Sequence, residues 1–464
     1  NLGTNLKFIG SSKSECVYRL SSLSPGAYRL AVEAPGFEQR VIDNITIEVA
    51  AKVTVNINLS VGRTDQTVTV NADQVHLNAT DASVSAVVNH DFVENIPLNG
   101  RSFQALLTAV PGVAVVPSVA VGASGAGSAG EVTVNGQRTE ENYFTIDGVS
   151  ANTGAPAGGA IGFGAGFAGA TPAETVLGTT QSMVSIDALE EFRATTSTYS
   201  AEYGRTPGGQ FSFETKSGTN TYHGLLFEYL RNGDMDANNW FNNQAGLPRT
   251  LERQNDFGGT LGGPVQIPHL YDGKDKTFFF FSYEGLRLEN PVAASLTTVP
   301  SNDLRQNAPP ALQPFLNAFP VSPLPDNGDG TAYYSAAYSS PASIDTTAIR
   351  IDHSFGDRFK VFGRYSTSSS SAGTRDSYNL AEKDDASGVV RYVTLGATNV
   401  FSPHWNNDFR FNFTSNNQTL KQTLDSFGGA TPFLLSDVPG LDSRSQLSFY
   451  LLYGFYPNYS IGTQ

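Results

Sequence analysis

At 464 residues the chain is too long for one ordinary domain, so two or three units are expected. A net charge of −14 argues against nucleic acid or an anionic membrane surface as partner, since both select basic patches. The single cysteine, Cys16, excludes an intrachain disulfide framework and a thiolate metal cluster. No apolar run reaches the roughly 18 residues of a membrane helix, which rules out a helical membrane protein but not a barrel, whose strands alternate. Only 16% of residues are charged, while Gly (46), Phe (30) and Tyr (19) stand out.

Residues 1–62 have the grammar of a small antiparallel β-sandwich short of a strand or two. "CVYRL", "GAYRLAVEA" and "ITIEVAAKVTVNINLSV" read as strands, Val53, Val55, Ile57 and Leu59 share a face, and Pro25-Gly26 and Pro35-Gly36 punctuate the turns. Residues 63–80 form a linker containing the extended "DQTVTVNA". In 81–220, "NGRSFQALLTAVPGV" spaces Phe103, Leu106, Leu107 and Val110 as one face of a helix that Pro111-Gly112 stops. "EVTVNGQRTEENYFTIDGVS" follows as two short strands, the second ending at Asp147-Gly148. The glycine-rich stretches around 121–131 and 152–173 cannot pack a core; the second contains Gly164, Gly166 and Gly169 in dinucleotide-fingerprint spacing, but without the strand–turn–helix frame that spacing needs.

From residue 221 the alternation becomes regular. Strands are expected at 221–231, 253–263, 277–288, 346–354, 358–366, 390–401 and 405–415, with a weaker one near 447–456. Ile349 and Ile351 oppose Arg350 and Asp352; Phe359, Val361 and Tyr365 oppose Arg358, Lys360 and Arg364; Trp405, Phe409, Phe411 and Phe413 oppose Asn406, Asp408, Arg410 and Asn412. Connections at 355–357, 402–404 and 264–276 are short, whereas 232–252, 289–345, 367–389 and 416–446 are long. Short and long connections in alternation are the signature of an antiparallel transmembrane β-barrel. The expected fold class is therefore mainly β: a small sandwich, an α+β unit, and part of a barrel over 221–464.

Several runs together carry a family resemblance. "LSSLSPGAYRLAVEAPGFEQRVIDNITIEVAAKVTVNINLSVG" is similar to the carboxypeptidase-regulatory-like domain, a transthyretin-like sandwich without peptidase chemistry. "IPLNGRSFQALLTAVPGV", "VNGQRTEENYFTIDGVS", "ALEEFRATTSTYSAEYGRTPGGQFSFETKSGTNTYHG" and "RQNDFGGTLGGPV" follow in the order of the TonB-dependent transporters, in particular their Oar-like branch. The resemblance implies a plug at 81–220, an outer-membrane location in a Gram-negative bacterium with sandwich and plug on the periplasmic side, and transport of a bulky substrate driven by the inner-membrane proton-motive force. It implies the TonB C-terminal domain, with its ExbB–ExbD motor, and outer-membrane lipid as partners, beside an unidentified substrate. A TonB box falls on Thr67, Val68, Thr69 and Val70, which would pair main chain to main chain with the partner; the other reading of these residues is a last strand of the sandwich. Since the family's barrels have roughly 22 strands and about eight are recognisable here, the chain reads as a fragment, incomplete at both ends.

Arg138, Glu140, Glu141, Asp147, Glu190, Glu191, Arg193, Glu202 and Arg205 lie in the plug segment. Charges inside a lumen must be hydrated or paired with wall residues such as Arg350 or Arg364. No enzyme constellation, cofactor or metal site is expected: His76, His90, His223, His269, His353 and His404 lack ligand spacing, and "DNGDGT" (326–331) lacks that of a calcium loop. The competing reading is a β-rich surface or secreted adhesion or assembly protein without transport. A carboxypeptidase accessory module is a weaker third, for want of zinc-ligand spacing.

Overall fold

A computed structural model describes residues 1–12, 16–20, 23–62, 67–71, 83–89, 92–93, 104–116, 131–138, 141–153, 171–172, 175–177, 183–201, 203–238, 240–244, 252–402, 405–442, 444–451 and 457–463. At the N-terminus, β1 (Gly26–Val32) pairs antiparallel with β2 (Gln39–Ile47) across a turn whose Gly36 has φ +84°. The third strand, β3 (Thr67–Asn71), adds to β2 in parallel, from Gln39 opposite Thr67 to Asp43 opposite Asn71. The segment expected to be linker is thus paired along the sheet edge. Tyr28, Ile42 and Ile45 are buried, and Val53, Val55 and Ile57 pack on them. Residues 51–60 alternate toward this core without forming a ladder, so the observed unit is one sheet covered by an extended segment. It is fastened by the bridge from Phe37 to Val61 and by the Tyr18 hydroxyl, which donates to the Val55 carbonyl at 2.9 Å. Alternation needs only an apolar face to bury, whereas a ladder needs a neighbouring strand.

The second unit is built from β4 (Val84–Val88), β5 (Val113–Val116), β6 (Glu131–Val134), β7 (Tyr143–Ile146), β8 (Val149–Ser150), β9 (Asn152–Thr153), β10 (Thr171–Pro172), β11 (Leu189–Ser197) and β12 (Gln210–Thr215). Its main sheet runs β4-β11-β12-β7-β8, with only the β12–β7 pair parallel; β5–β6 and β9–β10 are separate hairpins. Among the described residues the expected helix covers Gln104–Leu107 and ends before Val110, while Phe103 lies outside them. Pro111 has no N–H to donate to the Leu107 carbonyl, and its ring disfavours helical geometry at Val110. Leu106, Leu107 and Val110 are buried nevertheless, in a core with Phe144, Phe192, Phe211 and Phe213. That core continues into Phe280, Val390 and Tyr392 of the third unit, so this inner sheet and the wall share one hydrophobic interior.

The wall comprises β13 (His223–Asn232), β14 (Arg253–Pro264), a small hairpin of β15 (Gln266–Ile267) and β16 (Tyr271–Asp272), β17 (Thr277–Pro300), β18 (Thr331–Ser354), β19 (Phe359–Arg375), β20 (Glu382–Ser402), β21 (Trp405–Leu424), β22 (Leu447–Tyr450) and β23 (Asn458–Thr463). Nine of these form a single sheet in the order β13-β14-β17-β18-β19-β20-β21-β23-β22, an open part of a barrel with β13 and β22 at its edges. The expected strands are present, but β17 to β21 run far past their predicted ends: much of 289–345, 367–389 and 416–446 is ladder rather than loop. Those extensions are rich in Ser, Thr and Asn. Their inward positions, among them Ser340, Ser368, Ser370 and Ala372, are buried, so small and polar residues take the place of apolar alternation while the ladder hydrogen bonds continue. The connections 233–252, 301–330, 376–381 and 425–446 all lie at one end; 265–276 and 355–358 lie at the other. In 301–330, the Asp326 carboxylate accepts from the N–H groups of Gly328 (2.6 Å) and Gly330 (3.1 Å) and from the Ser301 hydroxyl (2.6 Å), which makes "DNGDGT" a hydrogen-bonded turn.

Candidate functional site

The inner sheet meets the wall at a buried ionic cluster. Asp147 and Gly148 make the two-residue turn between β7 and β8, with φ +51° and +81°, both in the left-handed region that a tight hairpin demands. That turn directs the Asp147 carboxylate at the end of β12, where it accepts the Thr215 N–H and hydroxyl, each at 2.9 Å. From the wall, the Arg350 guanidinium on β18 donates to Asp147 (3.2 Å), to the Thr215 carbonyl (3.0 Å) and to the Thr215 hydroxyl (3.0 Å). Arg350 and Asp147 are 4% and 3% exposed. Their attraction is thus little screened, and the loss of Arg350 would leave the buried Asp147 charge without its ion pair.

Asp352, two residues along and on the same inward face, accepts from Arg350 Nε at 3.0 Å, and Glu214 stands 3.6 Å from Arg350 Nη1. Burial, then the neighbouring Asp147 charge, pushes the Glu214 carboxyl above its ordinary range. The Phe362 ring lies under Arg350, with Arg410 nearby, at 4.6 and 5.2 Å from its centroid. Two further wall groups reach main-chain carbonyls of the inner unit. Asn412 Nδ2 donates to Ser150 at 2.9 Å, and Arg364 Nη2 donates to Met183 at 2.8 Å.

A second cluster joins the inner sheet to the N-terminal unit. Glu191 and Arg193 lie one residue apart on β11, so their side chains leave the same face. The Glu191 carboxylate accepts the Val49 N–H, and Arg193 Nε donates to the Val49 carbonyl at 2.8 Å. Arg193 also donates to Ser85 on β4 at 3.1 Å and to Glu48 at 3.4 Å. Burial pushes the Glu191 carboxyl up to about 7, against the pull of the Val49 N–H.

Of the charges picked out in the sequence, Asp147, Glu191 and Arg193 thus belong to these two clusters. Arg138 is exposed; Arg205 is exposed too and lies over the Tyr143 ring at 5.4 Å. Glu141 and Glu190 are half-buried, and Glu140 and Glu202 fall outside the described residues. Thr67, Val68, Thr69 and Val70 lie in β3, with Thr69 exposed. Sequence reasoning missed Glu214, Thr215, Phe362 and Val49. Glu214 sits in an alternating strand and could have been found from its charge, but Val49 acts through its main chain and leaves no signal. No group of metal-ligating side chains occurs among the described residues.

Between the N-terminal unit and the Arg350 cluster lies a chamber of about 220 Å³, lined by Phe8, Val49, Asp147, Glu214, Arg350 and Arg410 among others. With its equal mix of acids and bases, it holds polar groups and water more readily than an apolar ligand.

Over 278 residues the chain is 24% identical to the TonB-dependent transporter Oar of Myxococcus xanthus, an alignment covering 57% of this chain and 22% of that protein. The chain therefore spans about a fifth of the length of this curated relative. Among solved structures, the outer membrane transporter YddB from Escherichia coli aligns with TM-score 0.49 at 13% identity, over 74% of this chain and 40% of that one. The siderophore receptor PirA from Acinetobacter baumannii aligns with TM-score 0.39 at 14% identity, over 74% and 45%. The family model described as "Outer membrane beta barrel domain" matches residues 214–463, more than half of the chain and the whole of its wall, and the chain belongs to that family.

Proposed function

We propose that this outer-membrane protein is a TonB-dependent receptor or transporter in which the inner sheet is the plug of the barrel. The observation that carries the reading is the contact between sheet and wall at Arg350, Asp147 and Thr215. Beside a shared apolar core, the sheet is fastened by a compact set of polar bonds. Such bonds are directional and exchange readily for water once parted, which suits a body that shifts inside a wall. The similarity to Oar supports the same reading. On it, the end with short turns faces the periplasm, and energy from the inner-membrane proton-motive force arrives through TonB. The substrate is bulky and of unassigned chemistry.

TonB would engage β3 by strand pairing at Thr67–Asn71, after this strand parts from β2. The test is capture of the detergent-solubilised protein by immobilised TonB C-terminal domain. Capture is expected for the wild type and is lost in Val68→Pro, because proline removes a main-chain donor. Capture that survives the substitution rejects a box at 67–70; a wild type that is not captured rejects the dependence on TonB.

A further inference from the structure

We infer that the N-terminal sheet is a cap on the plug, anchored at Val49, and that it has to lift before the lock between Arg350 and Asp147 can open. This rests on the plug reading above and adds to it a barrier at the short-turn face.

Three observations carry it. Val49 is held by both of its main-chain groups, its N–H by Glu191 and its carbonyl by Arg193, and all three residues are buried. A backbone gripped in this way is fixed in position whatever its side chain does. The same guanidinium reaches Ser85 on β4, so a single side chain ties the cap to two strands of the plug sheet.

A second anchor lies on the wall. Lys360 Nζ donates to the Lys7 carbonyl at 2.8 Å and sits over the Phe8 ring, while Asn5 Nδ2 donates to Asp275 at 2.9 Å. The cap is therefore pinned to the plug at Val49 and at Gly3, whose carbonyl accepts the Asn220 N–H at 3.1 Å, and to the wall at the turn 265–276 and at the start of β19.

The third observation is what lies beneath. Leu6, Phe8, Pro25, Val49 and Ala50 line one side of the 220 Å³ chamber, and Asp147, Glu214 and Arg350 line another. Water or a partner approaching the lock from the short-turn end meets the cap first.

Two amides report the two events. Val49 N–H is bonded to Glu191, and Thr215 N–H is bonded to Asp147. Hydrogen exchange of the whole solubilised chain reads both through the peptides that contain them. In Arg193→Ala, exchange at Val49 and at Thr215 should each rise by about tenfold or more, while the β18–β19 ladder keeps its wild-type rates. Wild-type rates at both amides overturn the anchor. Faster exchange at Val49 with Thr215 unchanged overturns the claim that the cap guards the lock. If Arg193→Ala does not fold, the pair Glu48→Ala with Lys360→Ala weakens both anchors from their exposed sides and is read by the same criteria. No TonB domain enters the measurement, so a failed capture experiment and a failed cap are separate results.

Discussion

Asp147, Glu214 and Asp352 surround the Arg350 guanidinium, which is the cation paired with all three. Arg350→Ala would leave the buried Asp147 carboxylate facing the half-buried Glu214 and Asp352 with no cation between them. The expected cost is about 3–5 kcal/mol, read as a lower unfolding temperature and faster exchange at Thr215. Asp147→Asn should cost less, because an amide oxygen still accepts from Thr215 and Arg350 keeps Asp352 and Glu214 beside it. A loss in Asp147→Asn equal to that in Arg350→Ala would contradict this ranking. Glu191 makes a prediction about pH. Its carboxyl is raised to about 7 in the docked state, by burial first and then by Glu48 and Glu190, with Arg193 and the Val49 N–H opposing. The docked state thus binds a proton that the free state releases. The stabilisation is complete below the ordinary carboxylate range and is lost as pH rises through about 7. After correction for intrinsic exchange, Val49 should be better protected at pH 5 than at pH 8, and Glu191→Gln should flatten the difference. A wild type with equal protection at both pH values would remove Glu191 as its source.

Among the strands, β19 and β20 show how one residue without a side chain serves the cluster. Gly396 lies opposite Phe362, and a Cβ at that position would stand 2.1 Å from the Phe362 ring. The glycine lets the ring lie flat beneath Arg350 and Arg410. Gly396→Val is expected to displace the ring, to cost about 1–3 kcal/mol, and to speed exchange at Thr215. An unchanged Thr215 would show that Phe362 packs beside the lock without supporting it. The position of this strand pair was legible from alternation alone, since Phe359, Val361 and Tyr365 separate cleanly from Lys360 and Arg364. Where the strands end was not legible, because beyond Thr367 the two faces carry the same polar residues and periodicity has nothing to report. The role of Asp147 as a hairpin residue was readable from Asp-Gly, but its pairing with a residue about 200 positions away was readable only as a class of partner. The grip on Val49 was not readable at all, since a main-chain contact is indifferent to residue type. One feature of β13 stays without a structural reason: Leu225, on the lumen side, is 43% exposed.

On the scale of the whole molecule, the wall separates two environments along its strands as well as across them. On the outward face, Leu261, Phe281, Ile349, Tyr365, Val393 and Phe413 line up across six strands, and Phe279, Ile351, Leu395 and Phe411 form a parallel row toward the short turns. In the other direction along the same face, the row through Thr347, Thr367, Arg391 and Ser415 is polar. Inward positions at the level of the apolar rows carry Ser282, Arg350, Arg364 and Thr394. A soluble sheet has no cause to carry an exposed apolar band over one part of its outward face and polar residues over the rest; a wall that crosses lipid and then stands in water does. That division predicts unequal tolerance along one strand. Leu395→Arg puts a charge among the apolar rows and is expected to cost about 2–4 kcal/mol when the protein folds into vesicles. Ser387→Arg, eight residues away on the same face of β20 and past Arg391, should fold as the wild type does, because its surroundings are already aqueous. Folded yield in vesicles, judged by resistance of the wall to protease, separates the two. Equal losses would mean that the lipid boundary does not fall between these residues, and equal tolerance would mean that the apolar rows face something other than lipid.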